Sequence, residues 1–291
     1  MRNATVLDEP QPVRPQPADE REVWIEPAER SFAIDLAPLW QYRQLVYFLA
    51  WRDIKVRYKQ TLLGIAWALL QPFLATIVFT IFFGRVAHLG SQGLPYALFA
   101  FVGMLPWTYF SNAVTNGSNT LVASASIVTK IYFPRSALPI ASVVGAAVDF
   151  ACAAVLLVPL FFWYGVRPSV NAFTLPLFFL LATVAALGLA LIFAAMSIRY
   201  RDVRFIVPFL MQIWLFATPI AYSAVTLSSA WRVVYALNPM VGVVEGFRWA
   251  LFDVAPAPGW ETAVSCVSAV AALLCGAFYF RNVAQSLADV I

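Results

Sequence analysis

One acidic residue lies deep inside an apolar segment of this chain. Asp149 falls within residues 137–163, a stretch long and apolar enough to form a membrane-spanning helix. A carboxylate at that depth is costly, so it is usually part of a proton or ion relay or is paired with another group in the helix bundle. No second acid and no histidine lies within a predicted span to continue a relay. A structural partner is therefore the favoured interpretation, and a relay role stays open.

Other patterns that support catalysis are missing. The three lysines, Lys55, Lys59 and Lys130, do not belong to a glycine-rich phosphate-binding loop, and the single histidine, His88, falls in a short loop. The three cysteines lie in apolar runs without metal-ligand spacing. The sequence therefore predicts that this chain is not an enzyme and binds no metal or other cofactor. Any uphill transport must draw its energy from another chain or from an ion gradient handled by Asp149 alone.

The composition places these residues in a membrane. The chain is 62% hydrophobic and 12% charged, whereas a soluble domain carries roughly 25% charged residues. Spanning the bilayer takes about 20 apolar residues, and the segments of that kind are residues 61–83, 95–115, 137–163, 172–196, 204–222 and 262–280. The predicted fold is therefore all-α, with six transmembrane helices. The net charge of +4 does not indicate a nucleic-acid partner, because the basic residues cluster in loops beside the membrane.

A seventh apolar stretch, residues 233–252, is interrupted by polar residues and glycines. Exposure of those groups to lipid would be costly, but non-helical backbone is tolerated at membrane depth when protein surrounds it. We therefore expect a re-entrant pair of short helices before the last span.

The first span is preceded directly by an amphipathic, basic stretch. Leu39, Tyr42, Val46 and Leu49 recur at spacings of three and four, which places them on one helical face. Residues 36–60 are predicted to form an interfacial helix on the cytoplasmic surface, with an ordinary soluble amphipathic helix as the alternative. The remaining parts are a polar tail at 1–35, the six-span domain at 61–285 and a short C-terminal segment at 286–291.

The orientation follows from the distribution of basic residues. With the N-terminus inside, every Lys and Arg from Arg43 onward falls on the inner side except Arg85, Arg167, Arg232 and Arg248. Positive charge favours the cytoplasmic side. The chain is therefore predicted to lie in the inner (cytoplasmic) membrane with both termini in the cytoplasm.

Two inner loops have the composition of docking sites. Residues 118–135 are predicted to form a short helix closed by Pro134 that presents Lys130, Tyr132, Phe133 and Arg135; aromatic and arginine residues are common interface anchors. The second loop, residues 197–204, places Arg201 and Asp202 between two spans. A pair of basic loops that only set the topology is the alternative.

Five motifs in order resemble one family of transport proteins. They are WRDIKVRYKQTLLGIAWALLQP (51–72), KIYFPR (130–135), SIRYRDVR (197–204), TPIAYS (218–223) and NPMVGVVEGFR (238–248). Together they resemble the membrane permease subunit of polysaccharide ABC exporters, the type-2 export permeases, and most closely the O-antigen (Wzm-type) permeases. The resemblance covers about residues 36–285.

The resemblance implies a homodimer docked on two copies of a separate cytoplasmic ATPase, where ATP and Mg²⁺ would bind. The substrate would be an undecaprenyl-pyrophosphate-linked glycan taken from the membrane. The channel would lie between the two copies, formed mainly by spans one and five, and segment 233–252 would be the outer gate. Capsule or teichoic-acid export, export of a small lipid or drug, and a stand-alone ion-coupled transporter using Asp149 remain alternatives.

The resemblance assigns particular residues to the channel, the pyrophosphate site, the ATPase contact and the outer gate. The channel would be lined by aromatic side chains, on which sugar rings can stack and slide: Trp67, Phe73, Phe79, Phe82, Phe209, Trp214, Phe216 and Tyr222. The pyrophosphate would be held by Arg52, Lys55, Arg57 and Lys59, since guanidinium and ammonium groups suit phosphate by charge and donor geometry. The ATPase would contact Lys130, Tyr132, Phe133, Arg135, Arg201 and Asp202. The outer gate would include Asn238, Pro239, Glu245 and Arg248.

Overall fold

The structure, a computed structural model, describes residues 40, 42–59, 64, 66–128, 133–224 and 229–286, and these contain helices and no strand. The helices are α1 (Arg43–Tyr58), α2 (Ala66–Phe79, continued by a π-helical turn over Thr80–Val86), α3 (Tyr96–Ala123), α4 (Ala125–Val128), α5 (Ala137–Ala154), α6 (Leu157–Tyr164), α7 (Leu175–Arg199, preceded by a 3₁₀ turn over Val170–Thr174), α8 (Val203–Phe216), α9 (Ser229–Ala236), α10 (Pro239–Phe252) and α11 (Trp260–Ser286). The prediction of an all-α fold is confirmed for this part of the chain. The predicted tail at 1–35 and the residues after Ser286 lie outside it.

Five helical segments in the described ranges are long and apolar enough to cross a membrane. They are Ala66–Val86, Tyr96–Ala123, Ala137–Tyr164, Val170–Arg199 and Trp260–Val283. The segment predicted as the fifth span, residues 204–222, is helical only as far as Phe216. Helix α8 has 14 residues, or about 21 Å at 1.5 Å per residue, which is short of the ~30 Å hydrocarbon core. The count of six spans is therefore not confirmed.

Helix α3 is the centre of the bundle and packs against α2, α5, α7, α8 and α10. It continues to Ala123, beyond the predicted end of the second span at residue 115. Its polar residues bond back to their own helix: Ser118 and Asn119 donate to the carbonyl of Thr115, and Thr120 donates to that of Gly117. Because these side chains are satisfied locally, the polar stretch stays helical. Of the short helix predicted in residues 118–135, the described part is α4, and residues 129–132 lie outside the described residues.

Helix α1 lies against α5. Leu49 and Ala50 are buried, and Tyr42 and Val46 pack on the same cluster of buried residues. The apolar face predicted for this helix is confirmed at these positions, while Leu39 lies outside the described residues. With this face against α5, the C-terminal end of α1, at Arg57 and Tyr58, lies beside Asp149 in the bundle.

Helices α7 and α11 cross at very close range. A Cβ atom added to Gly188 of α7 would lie 2.5 Å from the backbone nitrogen of Leu273 and 2.6 Å from the carbonyl carbon of Ala272, both in α11. Small residues allow helix backbones to approach in membranes, where van der Waals packing drives association. Gly188 is therefore required by the crossing itself.

Replacing Gly188 with alanine is expected to destabilise the protein by about 1–3 kcal/mol, because the new methyl group meets backbone that cannot rotate away. The change is measured as a fall in thermal stability of the detergent-purified protein. The matched control is Gly90→Ala, where nothing lies within 4 Å of the added carbon. Equal melting temperatures for the two variants would contradict the close crossing.

The stretch predicted to be re-entrant forms two short helices. Helix α9 ends at Ala236 and α10 begins at Pro239, with Asn238 as its N-cap. The break predicted from the polar residues is thus present, and the position of the pair relative to the membrane stays a prediction.

Candidate functional site

The carboxylate of Asp149, on α5, is paired with the end of α1. One of its oxygens accepts a hydrogen bond and ion pair from the guanidinium of Arg57, and the other accepts a hydrogen bond from the hydroxyl of Tyr58. The Asp149 side chain is 12% exposed. These three residues, named here the α1–α5 clasp, tie the basic helix to the middle of a predicted span.

The clasp favours the structural interpretation of Asp149 over the relay. Both carboxylate oxygens already have donors, and burial, reinforced by the bond to Asp149, raises the pKa of the Tyr58 hydroxyl well above its usual value. Tyr58 therefore remains a donor over the whole physiological range. The charge of Arg57 offsets that of Asp149, which lowers the cost of placing either group in the bundle.

The clasp forms one wall of a cavity of about 300 Å³. The other walls come from the start of α2, with Trp67 and Gln71, and from α3, with Thr108, Asn112 and Asn116. Residues 108, 112 and 116 follow a spacing of four, so they lie on one face of α3. The cavity therefore combines an aromatic side chain with a line of neutral polar groups.

The amide side chains in this cavity have no hydrogen-bond partner among the described residues. Among the residues that the structure describes, Gln71, Asn112 and Asn116 make no side-chain hydrogen bond. The neighbouring Asn119 donates to Thr115 instead. Our sequence analysis missed these three residues. The four-residue spacing of Asn112 and Asn116 was the available signal, but it straddled the predicted end of the span.

The four basic residues assigned to the pyrophosphate differ in their surroundings. Arg52 donates to Asp53 through Nε and Nη2 at 3.1 and 2.8 Å, and Arg57 belongs to the clasp. Lys55 lies with its Nζ 5.6 Å from the centre of the Trp51 ring. Lys55 and Lys59 are exposed and make no ion pair within the described ranges. The two lysines, four positions apart, thus offer free positive charge.

The first predicted docking loop is only partly described, because Lys130 and Tyr132 lie outside the described residues. Phe133 does not project as an anchor, since it is 7% exposed and belongs to the buried cluster beneath α1. Arg135 is partly buried. In the second loop Arg201 and Asp202 are exposed at the turn between α7 and α8, and their side chains form no ion pair with a described residue.

The aromatic residues assigned to a channel fall into two groups. Five are exposed on the isolated subunit: Trp67, Phe73 and Phe82 on α2 and its continuation, and Phe209 and Phe216 on α8. Three take part in packing within the subunit: Phe79 is buried beside Phe83, Trp214 meets Phe110 edge-on at 5.7 Å, and the Tyr222 hydroxyl is bonded to that of Tyr235 at 2.6 Å. Helices α2 and α8 both pack on α3.

The four residues assigned to an outer gate belong to one hydrogen-bonded cluster around α10, named here the Arg248 joint. The Asn238 side chain accepts from the backbone N–H of Met240 at 3.0 Å and donates to the Ala217 carbonyl at 3.2 Å, and Pro239 occupies the first turn. Glu245 accepts from the backbone N–H of Ala224 at 3.0 Å and from Arg248. The joint connects α10 to the chain after α8.

Arg248 is fully buried at the centre of this joint. Its guanidinium donates to the carbonyls of Pro219 at 2.7 Å, Ile220 at 2.8 Å and Tyr222 at 3.3 Å. Its central carbon lies 3.6 Å from the centre of the Phe99 ring on α3. These bonds satisfy three backbone carbonyls in the chain that follows α8.

Residues 44–252 match the family model described as ABC-2 type transporter. The chain belongs to the ABC-2 type transporter family. The match runs from the start of α1 to the end of α10, so the clasp, the cavity and the Arg248 joint of this ABC-2 transporter all fall inside it.

The similar proteins are named as polysaccharide transport components. An O-antigen export system permease protein RfbA of Myxococcus xanthus is 33% identical over 217 residues, which is 74% of this chain and 83% of that protein. A protein of the same name from Klebsiella pneumoniae is 28% identical over 198 residues, 68% of this chain and 76% of its own length. The polysialic acid transport protein KpsM of Escherichia coli is 23% identical over 205 residues, which is 69% of this chain and 78% of that protein.

Proposed function

We propose that this ABC-2 transporter is the permease subunit of an exporter that moves a lipid-linked polysaccharide, most closely an O-antigen, across the inner membrane. The observation that carries the proposal is the 33% identity to an O-antigen export permease over 83% of that protein's length. The five spanning helices and the family support a multi-pass membrane protein. The distribution of basic residues supports a cytoplasmic location for both termini.

The energy comes from a second chain in this proposal. The sequence contains no phosphate-binding loop, and family membership implies an ABC ATPase as the partner. ATP and Mg²⁺ bind to that ATPase, and this subunit performs no catalysis. Two permease copies and two ATPase copies complete the assembly.

The lipid-linked pyrophosphate first meets α1 at the cytoplasmic surface. Lys55 and Lys59 are the first contacts, because their charges are free, while Arg52 and Arg57 add positive potential from their paired positions. Lysine suits this task as a mobile point charge for phosphate.

The glycan passes between two copies of the subunit. The glycan contacts the exposed aromatic side chains of α2 and α8 along this path. Aromatic faces hold sugar rings without fixing one sequence, which suits a polymer that must slide. The joint around Arg248, with α9 and α10, forms the outer end of the path.

A pull-down from membranes tests the proposal. The tagged chain should co-elute with a soluble ATPase at equal stoichiometry, and ATP-dependent export should be reconstituted with the pair. Export by the purified chain alone would point instead to a stand-alone transporter.

The α7–α8 turn supplies a sharper prediction about coupling. Replacing Arg201 and Asp202 together with alanine is expected to lower export at least tenfold while ATP hydrolysis by the partner continues, because both side chains are exposed and free to dock. The measurement is the number of glycans exported per ATP hydrolysed, and the same assay applies to Tyr132→Ala. Arg167→Ala is the control, since Arg167 is also exposed but lies near the other end of α7. Unchanged coupling in the double variant would remove this turn from the ATPase contact.

A further inference from the structure

We propose that the cavity between α1, α2, α3 and α5 binds a single neutral sugar ring of the exported glycan. This inference rests on the proposed function and adds to it a recognition subsite formed by one subunit, which shares Trp67 with the channel surface proposed between the copies. Three independent features of the cavity carry it: its charge balance, its unpartnered amides and its aromatic wall.

The charge balance excludes an anionic ligand. Among the described residues, the charged side chains that line the cavity are Arg57 and Asp149, which are paired with each other in the clasp. A pyrophosphate in this space would bring two or more negative charges without a free cation to offset them, at a high desolvation cost. A neutral ligand meets no such penalty.

The unpartnered amides define what the ligand must offer. Each primary carboxamide presents two N–H donors and one carbonyl acceptor. Gln71 from α2, with Asn112 and Asn116 from α3, bring these groups to the same cavity from two helices, and no described residue uses them. A sugar ring is the common neutral ligand in which adjacent hydroxyls both donate and accept.

The aromatic wall and the volume fit the same ligand. Trp67 lines the cavity beside Gln71 and is 51% exposed, so an indole surface is open for stacking. Ligand pockets span about 300–1,000 Å³, and a cavity of about 300 Å³ therefore suits one small polar unit instead of a chain of them.

The subsite is placed next to the proposed pyrophosphate contacts. Tyr58 of the clasp lines the cavity and is followed directly by Lys59. A lipid-linked glycan whose diphosphate sits at Lys55 and Lys59 would thus bring its first sugars to the cavity. The cavity would bind the sugar, and the two lysines would bind the charged diphosphate.

Saturation-transfer NMR on the detergent-purified full chain tests this inference, since it detects weak ligands. The probes are the methyl glycosides of glucose, N-acetylglucosamine and rhamnose, with inorganic pyrophosphate and glycerophosphoethanolamine as competitors. One variant combines Asn112→Leu with Asn116→Leu. The second is Gln71→Leu, which should not disturb folding because Gln71 is exposed. Asn119→Leu is the matched control on α3, because Asn119 does not line the cavity.

We expect at least one glycoside to receive saturation in the wild type and in Asn119→Leu. Binding should weaken about tenfold in both cavity variants, the loss that corresponds to one or two hydrogen bonds, and neither competitor should displace the glycoside. The inference is overturned if no glycoside binds the wild type, if the cavity variants bind as the control does, or if pyrophosphate or the lipid headgroup displaces the sugar. Reconstituted export of the glycan is measured separately, so loss of the subsite and loss of the proposed function are distinguishable.

Discussion

Replacing Arg248 with methionine is expected to cost about 3–5 kcal/mol of stability, because it removes a fully buried charge from the carbonyls and the carboxylate that it bonds. Three backbone carbonyls between Pro219 and Tyr222 lose their donor, and the carboxylate of Glu245 loses its counter-charge. A loss of that size is a large part of the ~5–15 kcal/mol that holds a typical domain folded. The variant should give little monodisperse protein on size-exclusion chromatography and a lower melting temperature.

The control for this result is the same substitution at an exposed ion pair. Arg232 lies 3.7 Å from Glu261, with each side chain more than a third exposed, so Arg232→Met should change stability by only about 0–1 kcal/mol. Removing both charges in Arg248→Met with Glu245→Gln should recover part of the loss, since no unpaired carboxylate then remains. A melting temperature for Arg248→Met equal to that of Arg232→Met would show that the buried guanidinium is not required by the fold.

Replacing Asp149 with asparagine is expected to abolish most export and to lower stability by about 1–3 kcal/mol, the cost of leaving a partly buried polar group without its partner. The variant keeps the shape of the side chain but leaves Arg57 without a counter-charge, and the end of α1 loses its tie to α5. Tyr58→Phe removes one hydrogen bond of the clasp and should cost less, about 0.5–1.5 kcal/mol. Export of the reconstituted pair and thermal melting measure the two effects.

A double variant separates the structural role of Asp149 from a relay. Arg57→Gln with Asp149→Asn retains polar side chains at both positions without charge, so stability should exceed that of Asp149→Asn, with a coupling energy of about 0.5–3 kcal/mol. Export should recover with it. If the double variant is as stable as the wild type but fails to transport, while Arg57→Gln alone transports, the carboxylate itself takes part in transport and the clasp is not its role.

Several elements of the fold could be predicted because a local pattern specifies them. The apolar face of α1 follows from three- and four-residue spacing, and the break between α9 and α10 follows from Asn238 and Pro239, which are favoured residues at a helix start. Contacts from distant segments could not be predicted in this way. The chain after α8, which ends at Phe216, is held by Arg248, some 30 residues later, through the carbonyls of Pro219 and Ile220.

The site residues divide in the same way. The sequence identified Asp149 and Arg57 as charged groups near a membrane, but nothing in their spacing, 92 positions apart, paired them. Phe133 has the type of an interface anchor, yet it is buried beneath α1. The free amides of Gln71, Asn112 and Asn116 could not be told from the satisfied amide of Asn119 without the neighbouring helices.

By itself the sequence determined the membrane class, the all-helical composition, the positions of the apolar segments and the family resemblance, because hydropathy, charge and helix-breaking residues act locally or over a single helix. Tertiary structure alone decided which charges neutralise each other, which aromatic side chains stay exposed and where a cavity forms. The physical reason is that burial and pairing depend on which helices meet, and a membrane chain in which most residues are apolar carries little local information about its neighbours.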